Sequence, residues 1–374
     1  MFAPQRLVTA AAAALLFVGI VAVAVHRDPD PPAEVRRVPQ RRVTTTRDKS
    51  SERSRVAVPT STTVASAPTP TTPTAASTPR RSVTNTTTTA AKAVTAAGCS
   101  VFPADNPWNT DVSHAPVHAN STNFINAIGI DDHLHPDFGT FYDGGPIGIP
   151  FVQVGAGQAK VPVSFDYADE SDPGPYPIPP DAPIEGGPDS DGDRHVLVVD
   201  ASACRLYELY DAHKQGAGWH AGSGAVFDLR SNALRPDYWT SADAAGLPIY
   251  PGLVRYAEVQ AGAINHALRF TVSRTQRGFI HPATHYASSA TDPNLPPMGL
   301  RLRMKAGYSC ASLGREAQIV CAALKRYGML VADNGSDWFI SGEHNPKWDD
   351  DALGDIKRIP GSAFEVVDTG PVIR

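Results

Sequence analysis

The chain has 374 residues, 42 % of them hydrophobic and 19 % charged, with 34 prolines against 30 glycines. That composition excludes a fully disordered chain, a coiled coil and a polytopic membrane protein. The net charge of −5 conceals +7 over residues 27–97 and −13 from Gly98 onward. So acidic a carboxy-terminal part repels polyphosphate, which argues against nucleic acid as its partner.

Residues 1–27 open with Arg6 and an uncharged run, Leu7 to Val25, of 19 residues. At about 1.5 Å per residue such a helix just spans a bilayer core. Ala22-Val23-Ala24 has the small-x-small form that signal peptidase cuts. Two readings stay open, a single-pass membrane anchor and a cleaved signal peptide, and both place the bulk of the protein outside the cytoplasm. Residues 28–97 are rich in Thr, Pro, Ser and Arg with few large apolar side chains. They cannot bury enough surface to offset ordering entropy, so a disordered linker is expected there. Asn85-Thr86-Thr87 is an N-glycosylation sequon.

All four cysteines, Cys99, Cys204, Cys310 and Cys321, follow the linker. Cys310 and Cys321 are spaced to close a small loop ahead of a helix, which leaves Cys99 to pair with Cys204. Four free thiols are the alternative. Export favours the disulfides.

From 98 to 374 the pattern is short apolar runs separated by Pro, Gly, Asp and Asn. IGIPFVQVG, KVPVSFDYAD, HVLVVD, RLYELYD, AVFDLRS, HALRFTVS, LRLRMKAG, GMLVADNGSDWFISG and AFEVVD read as strands. Asn334-Gly335 reads as a hairpin turn. Helices are expected at Ser312–Tyr327, stopped by Gly328, and more briefly at Asn120–Ile128 and Ser241–Ala245. The expected fold is mainly β, a single β-sandwich or jelly-roll-like domain with long loops and a few short helices.

The blocks FPADNPWNTDVSHAPVHANS, TSADAAGLPIYPGLVRYAEV, HALRFTV and ALKRYGMLVADNGSDWFISG resemble a family of exported bacterial proteins with no settled activity. The resemblance covers essentially all of 99–374. It implies export and one compact domain, and it assigns no catalytic residues.

Several familiar motifs fail. Gly216-Ala217-Gly218 lacks the third glycine of a dinucleotide loop, Ser223 misses the G-x-S-x-G elbow, and there is no Walker lysine. No nucleotide and no cofactor are expected. Asp189, Asp191 and Asp193 alternate as in a calcium loop, but glycine stands fourth rather than sixth, so a solvated turn is favoured. His281 and His285 are four apart, yet Pro282 interrupts any helix between them, and no metal site is assigned.

Strand parity puts His195 on one face of HVLVVD beside a hairpin partner that carries Glu208 and Tyr210. A carboxyl next to a His or a second carboxyl supplies the two titrating groups that acid–base chemistry needs. The candidate catalytic set is Glu208 as proton donor or nucleophile, Asp228 as second carboxylate, and His195 and His266 as orienting or proton-shuttling groups. Trp219, His220, Tyr210, Arg230 and His285 are the candidate substrate-binding residues, since exposed rings stack on sugar C–H faces. Asp333, before the Asn-Gly pair, reads as turn chemistry. The expectation is an envelope-tethered or secreted domain acting on a polysaccharide or cell-wall glycan, as a glycoside hydrolase or lyase. The alternative is a wall- or surface-binding module without catalysis.

Overall fold

The computed structural model describes Thr95, Ala96 and residues 98–374. The membrane or signal segment and the linker lie outside the described residues. Chain contacts gather the described residues into one compact unit.

The described chain is mainly β. Strands β1 (Thr95–Ala96) and β2 (Cys99–Ser100) pair at its start, followed by helix α1 (Ser121–Ile128) and β3 (His135–Asp137). A small hairpin, β4 (Phe141–Tyr142) and β5 (Gly145–Pro146), leads to β6 (Phe151–Val154) and β7 (Val163–Phe165). Then come β8 (Val196–Asp200), β9 (Arg205–Tyr210), β10 (His213–Gln215), β11 (Gly218–Ala221) and β12 (Ser223–Asp228). Helix α2 (Tyr256–Ala261) precedes β13 (Leu268–Val272) and β14 (Arg301–Met304). Helix α3 (Arg315–Arg326), β15 (Met329–Asn334), β16 (Phe339–Ser341), the single-turn α4 (Asp350–Leu353) and β17 (Phe364–Val366) complete the order.

Each of the nine apolar runs contains a strand. A six-stranded sheet has the order β17-β14-β15-β13-β16-β3, and a four-stranded sheet the order β12-β9-β8-β6. A three-stranded sheet, β10-β11-β7, accompanies them. Pairs β13–β15, β16–β3, β6–β8 and β11–β7 run parallel, so the sheets are mixed and depart from the antiparallel pairing of a jelly roll.

Two local expectations are corrected. Asn334-Gly335 does not close a hairpin, because β13 lies between β15 and β16 and pairs with both. Ser241–Ala245 is a turn, not a helix. There Ser241 Oγ bonds the carbonyl oxygens of Asp243 and Leu247, and such local bonds compete with helical ones.

Helix α3 forms where expected, with Ala317, Val320, Cys321 and Leu324 buried on one face and Lys325 and Arg326 in its last turn. It stops at Gly328, whose φ is +68° and where a Cβ would stand 2.1 Å from the Leu302 carbonyl oxygen. Both disulfides form, Cys99–Cys204 and Cys310–Cys321. They fit an oxidising, extracytoplasmic setting. Among the described residues no helix is long and apolar enough to cross a membrane.

The four-stranded sheet is buried on both faces. Leu197, Val199 and Leu206 join the large core that also contains β13–β15 and α3, while Val196, Val198, Tyr207 and Leu209 face a smaller core with Tyr176 and Trp219. This double burial decides the fate of the polar side chains on β8 and β9.

Candidate functional site

Glu208 shares its face with Leu206 and therefore enters the large core, where it is wholly buried. Its carboxyl group accepts the backbone N–H of Ile249 at 2.9 Å and of Tyr250 at 2.8 Å. Burial raises it to about 7 against the pull of those two donors. Glu208 thus ties the 249–252 turn to the sheet and has no route to a substrate.

Asp228 lies three residues farther along the same ribbon, opposite Arg205, whereas Glu208 lies opposite Ala225. At about 3.4 Å per residue the two positions are about 10 Å apart. Asp228 is partly exposed and binds Arg230 at 3.1 Å, and that partner's hydrogen bonds hold its carboxyl below the usual range. Asp228 and Arg230 form a surface pair and do not converge with Glu208.

His266 is buried between the Ala267 carbonyl and Glu258, 3.1 Å away, and Glu258 also binds Arg255 at 2.9 Å. Burial would raise Glu258, but Arg255 and His266 outweigh it and hold it at about 2. This trio packs α2 against the core. Trp219 is likewise core. His220 is half-buried, with Nδ1 3.0 Å from Ser164 Oγ and Nε2 3.1 Å from Asp166. His285 Nδ1 bonds the Ala244 carbonyl, and its ring stacks on Tyr286. His281 pairs with Asp237 instead of His285. Among the described residues no His, Cys, Asp and Glu group could hold a metal ion. The Asp189–Asp193 turn is organised by buried Arg194, which donates to the Pro188, Ser190 and Ala212 carbonyl oxygens.

His195, by contrast, sits in a network whose other members sequence reasoning passed over. Its Nδ1 lies 2.5 Å from Glu185 Oε2 and its Nε2 2.9 Å from the Ala242 carbonyl oxygen. Both ring nitrogens face acceptors, so both carry protons. Burial alone would lower this histidine, but the Glu185 carboxylate overrides it and holds it at about 9. Burial raises Glu185 in turn, and the imidazolium brings it below its ordinary value. Tyr210 packs beside the ring, 5.9 Å between centroids.

The six-stranded sheet contributes the rest of the cluster. Arg269 on β13 donates through Nε to Asp243 at 3.0 Å and through a terminal nitrogen to Ser341 Oγ at 2.6 Å. Ser341 on β16 is the register partner of Asp137 on β3. Asp333 on β15 shares the Arg269 field with Asp243. Burial raises both carboxyls, and repulsion from Asp243 adds to the lift of Asp333, to about 7. Loss of hydration from the surrounding protein, then repulsion from Glu185, raises Asp137 to about 6 despite Arg269.

The result is an acidic cluster with a buried centre and a more exposed edge. His195, Asp243 and Arg269 are buried, while Asp137 and Asp193 are exposed and Glu185 is about a quarter exposed. Asp137 and Glu185, within each other's field, titrate in different ranges, Asp137 raised to about 6 and Glu185 lowered below its ordinary value. A separate hollow of about 390 Å³ beside β6, lined by Val152, Gln153, Gln158 and Asp181, offers no second titrating partner. Comparison with protein-family models, with curated proteins and with solved structures finds no match to this chain.

Proposed function

We propose that this protein is an extracytoplasmic glycan-active enzyme, a glycoside hydrolase, with Asp137 as general acid and Glu185 as the ionised partner. The observation that carries the proposal is that pair: an exposed carboxyl and a partly exposed one within each other's electrostatic field, with their titrations pushed apart by their surroundings. A split of this kind separates the acid from the base. Asp137 gives its proton to the leaving glycosidic oxygen as the C–O bond breaks. Water bonds to the anomeric carbon and passes its proton to Glu185, which His195 holds in place.

Charge favours hydrolysis over elimination. A lyase acting on a uronate must neutralise the sugar carboxylate, but the cations of the cluster, His195 and Arg269, are already paired with Glu185 and Asp243. The excess of carboxyls around them repels an anionic sugar, a nucleotide or a nucleic acid. Cell-wall or other extracellular glycan is the partner this reading implies, with the membrane as a second one if the amino-terminal segment is retained. One observation favours the non-catalytic alternative: Phe141 and Tyr142, on the hairpin after Asp137, are 63 % and 70 % exposed, as in a binding module.

The test is mass spectrometry of soluble products after incubation with isolated cell envelopes and a polysaccharide panel, beside an Asp137→Asn sample. Sugar fragments one water heavier than the eliminated product, absent from the variant, support a hydrolase. Retention on the envelope with no fragments leaves a binding module.

A further inference from the structure

The outer face of the three-stranded sheet carries a serine, a histidine and an aspartate in one hydrogen-bonded line. Alternation along two strands puts them there. Val163 and Phe165 of β7 and Trp219 and Ala221 of β11 turn into the smaller core, so Ser164 and His220 turn outward. The two are register partners across the parallel β7–β11 pair. Gly218 permits that close approach, since a Cβ there would stand 2.2 Å from the Pro162 carbonyl oxygen. Asp166 follows β7 directly, and its backbone N–H bonds the Ala221 carbonyl oxygen at 3.0 Å.

His220 Nδ1 lies 3.0 Å from Ser164 Oγ, and its Nε2 lies 3.1 Å from Asp166 Oδ1. A carboxylate only accepts, so Asp166 takes the Nε2–H and leaves Nδ1 to accept the Ser164 hydroxyl. Nucleophile, base and orienting group stand in the relation that activates a serine. Ser164 and Asp166 are exposed and His220 is half-buried, so the line is open to a reactant. The apolar side chains of both strands point the other way. The site therefore suits a short acyl group and gives a long one no apolar support. His213, opposite His220 on β10, has its own partner in Asp211 at 2.8 Å.

We infer that Ser164, His220 and Asp166 form a separate serine esterase site that cleaves short O-acyl esters without using the Asp137–Glu185 pair. Ser164 Oγ bonds to the ester carbonyl carbon while its proton passes to His220 Nδ1. The bond to the alcohol oxygen breaks, and Nδ1 returns the proton to that oxygen. Water then adds to the acyl-serine and gives a proton to Nδ1. The carboxylic acid departs as Ser164 recovers its hydrogen, and Asp166 positions the imidazole throughout.

The experiment follows hydrolysis of p-nitrophenyl acetate and acetylated xylan by the full-length protein, with p-nitrophenyl octanoate as the long-chain comparison. Peptide mass spectrometry after an acid quench locates the acyl group. Acetate release and an acetyl group on Ser164 are expected, and release from the xylan tells a polymer-borne ester from a free one. Ser164→Ala and His220→Gln each lower kcat at least about 100-fold, and together no further. Asp166→Asn lowers kcat at least about tenfold with KM unchanged, which a merely structural role would not do. His213→Ala stays within about twofold of the parent. Because surface imidazoles alone can hydrolyse the nitrophenyl ester, an acetyl group missing from Ser164, or parental rates in Ser164→Ala, overturns the site. Octanoate turned over as fast as acetate overturns the short-acyl assignment. Neither result bears on the Asp137–Glu185 reading, which rests on glycan cleavage.

Discussion

The Glu185–His195 pair gives the most searching test of the cluster. Glu185→Gln keeps the shape and a hydrogen-bonding group but removes the charge that keeps His195 protonated. The histidine is raised from 6.5 to about 9, and each tenfold in proton affinity is about 1.4 kcal/mol, so the carboxylate contributes about 3 kcal/mol to folding. The sign follows from the direction of the two shifts. A histidine raised in the folded state stabilises fully below 6.5 and loses that contribution as pH climbs through about 9. Glu185, lowered in the folded state, loses its contribution as pH falls below its unfolded value of 4.5. Urea unfolding of the parent and Glu185→Gln proteins should therefore differ by about 3 kcal/mol between pH 5 and 6.5, and converge near pH 9.5. In the variant, burial acts on His195 with only Asp193 left to oppose it, and its imidazole NMR signals should show a neutral ring at pH 7. A stability difference that stays flat from pH 6 to 9.5, or a parent His195 that deprotonates near 6.5, refutes the assignment.

Asp137→Asn should abolish product formation while leaving the protein folded. The parent's rate should fall as pH rises above about 6, where the acid loses its proton. Glu185 is a cause of that elevation, so any residual activity of Glu185→Gln should show the limb shifted to lower pH. Paired Ser substitution of Cys99 and Cys204 opens a link spanning 105 residues, against 11 for Cys310 and Cys321. The chain-entropy relation gives losses of about 5 and about 3 kcal/mol, read by denaturant midpoints. Arg269→Gln leaves Asp243 and Asp333 facing each other in the cluster. It should cost about 3–5 kcal/mol at pH 7.5 and less at pH 5, below the value of about 7 to which Asp333 is raised. Glu208→Ala should cost about 2–5 kcal/mol by stranding the Ile249 and Tyr250 N–H groups, and circular dichroism melting checks it.

The strands were legible because burial on both faces makes each a nearly continuous apolar run, as HVLVVD shows. Their pairing was less so. Asn334-Gly335 has strong local turn chemistry, but which strand lies beside β15 depends on β13, more than 60 residues upstream in the chain. Turn propensity carries no information about a strand that inserts between two sequence neighbours. The four cysteines allowed three pairings, and the one favoured by the short Cys310–Cys321 spacing is the one that forms.

The site was misplaced for a physical reason of the same kind. Parity put His195 and Glu208 near one another, and the structure keeps them within each other's field. But parity separates two faces only when one is wet, and here Leu206 and Leu209 are both fully buried on opposite faces of β9. The carboxyl that looked most like a catalyst was the one most deeply enclosed, whereas the open ones sit in segments without periodicity. Asp137 ends a three-residue strand after a proline, and Glu185 precedes a Gly-Gly-Pro turn. Asp333 was masked by the turn it precedes, and Arg269 by the apolar strand around it. A buried guanidinium within a strand needs a partner, and that demand was the readable signal: Arg269 required a carboxylate on a neighbouring element, and following it would have led to Asp243, Asp333 and the cluster.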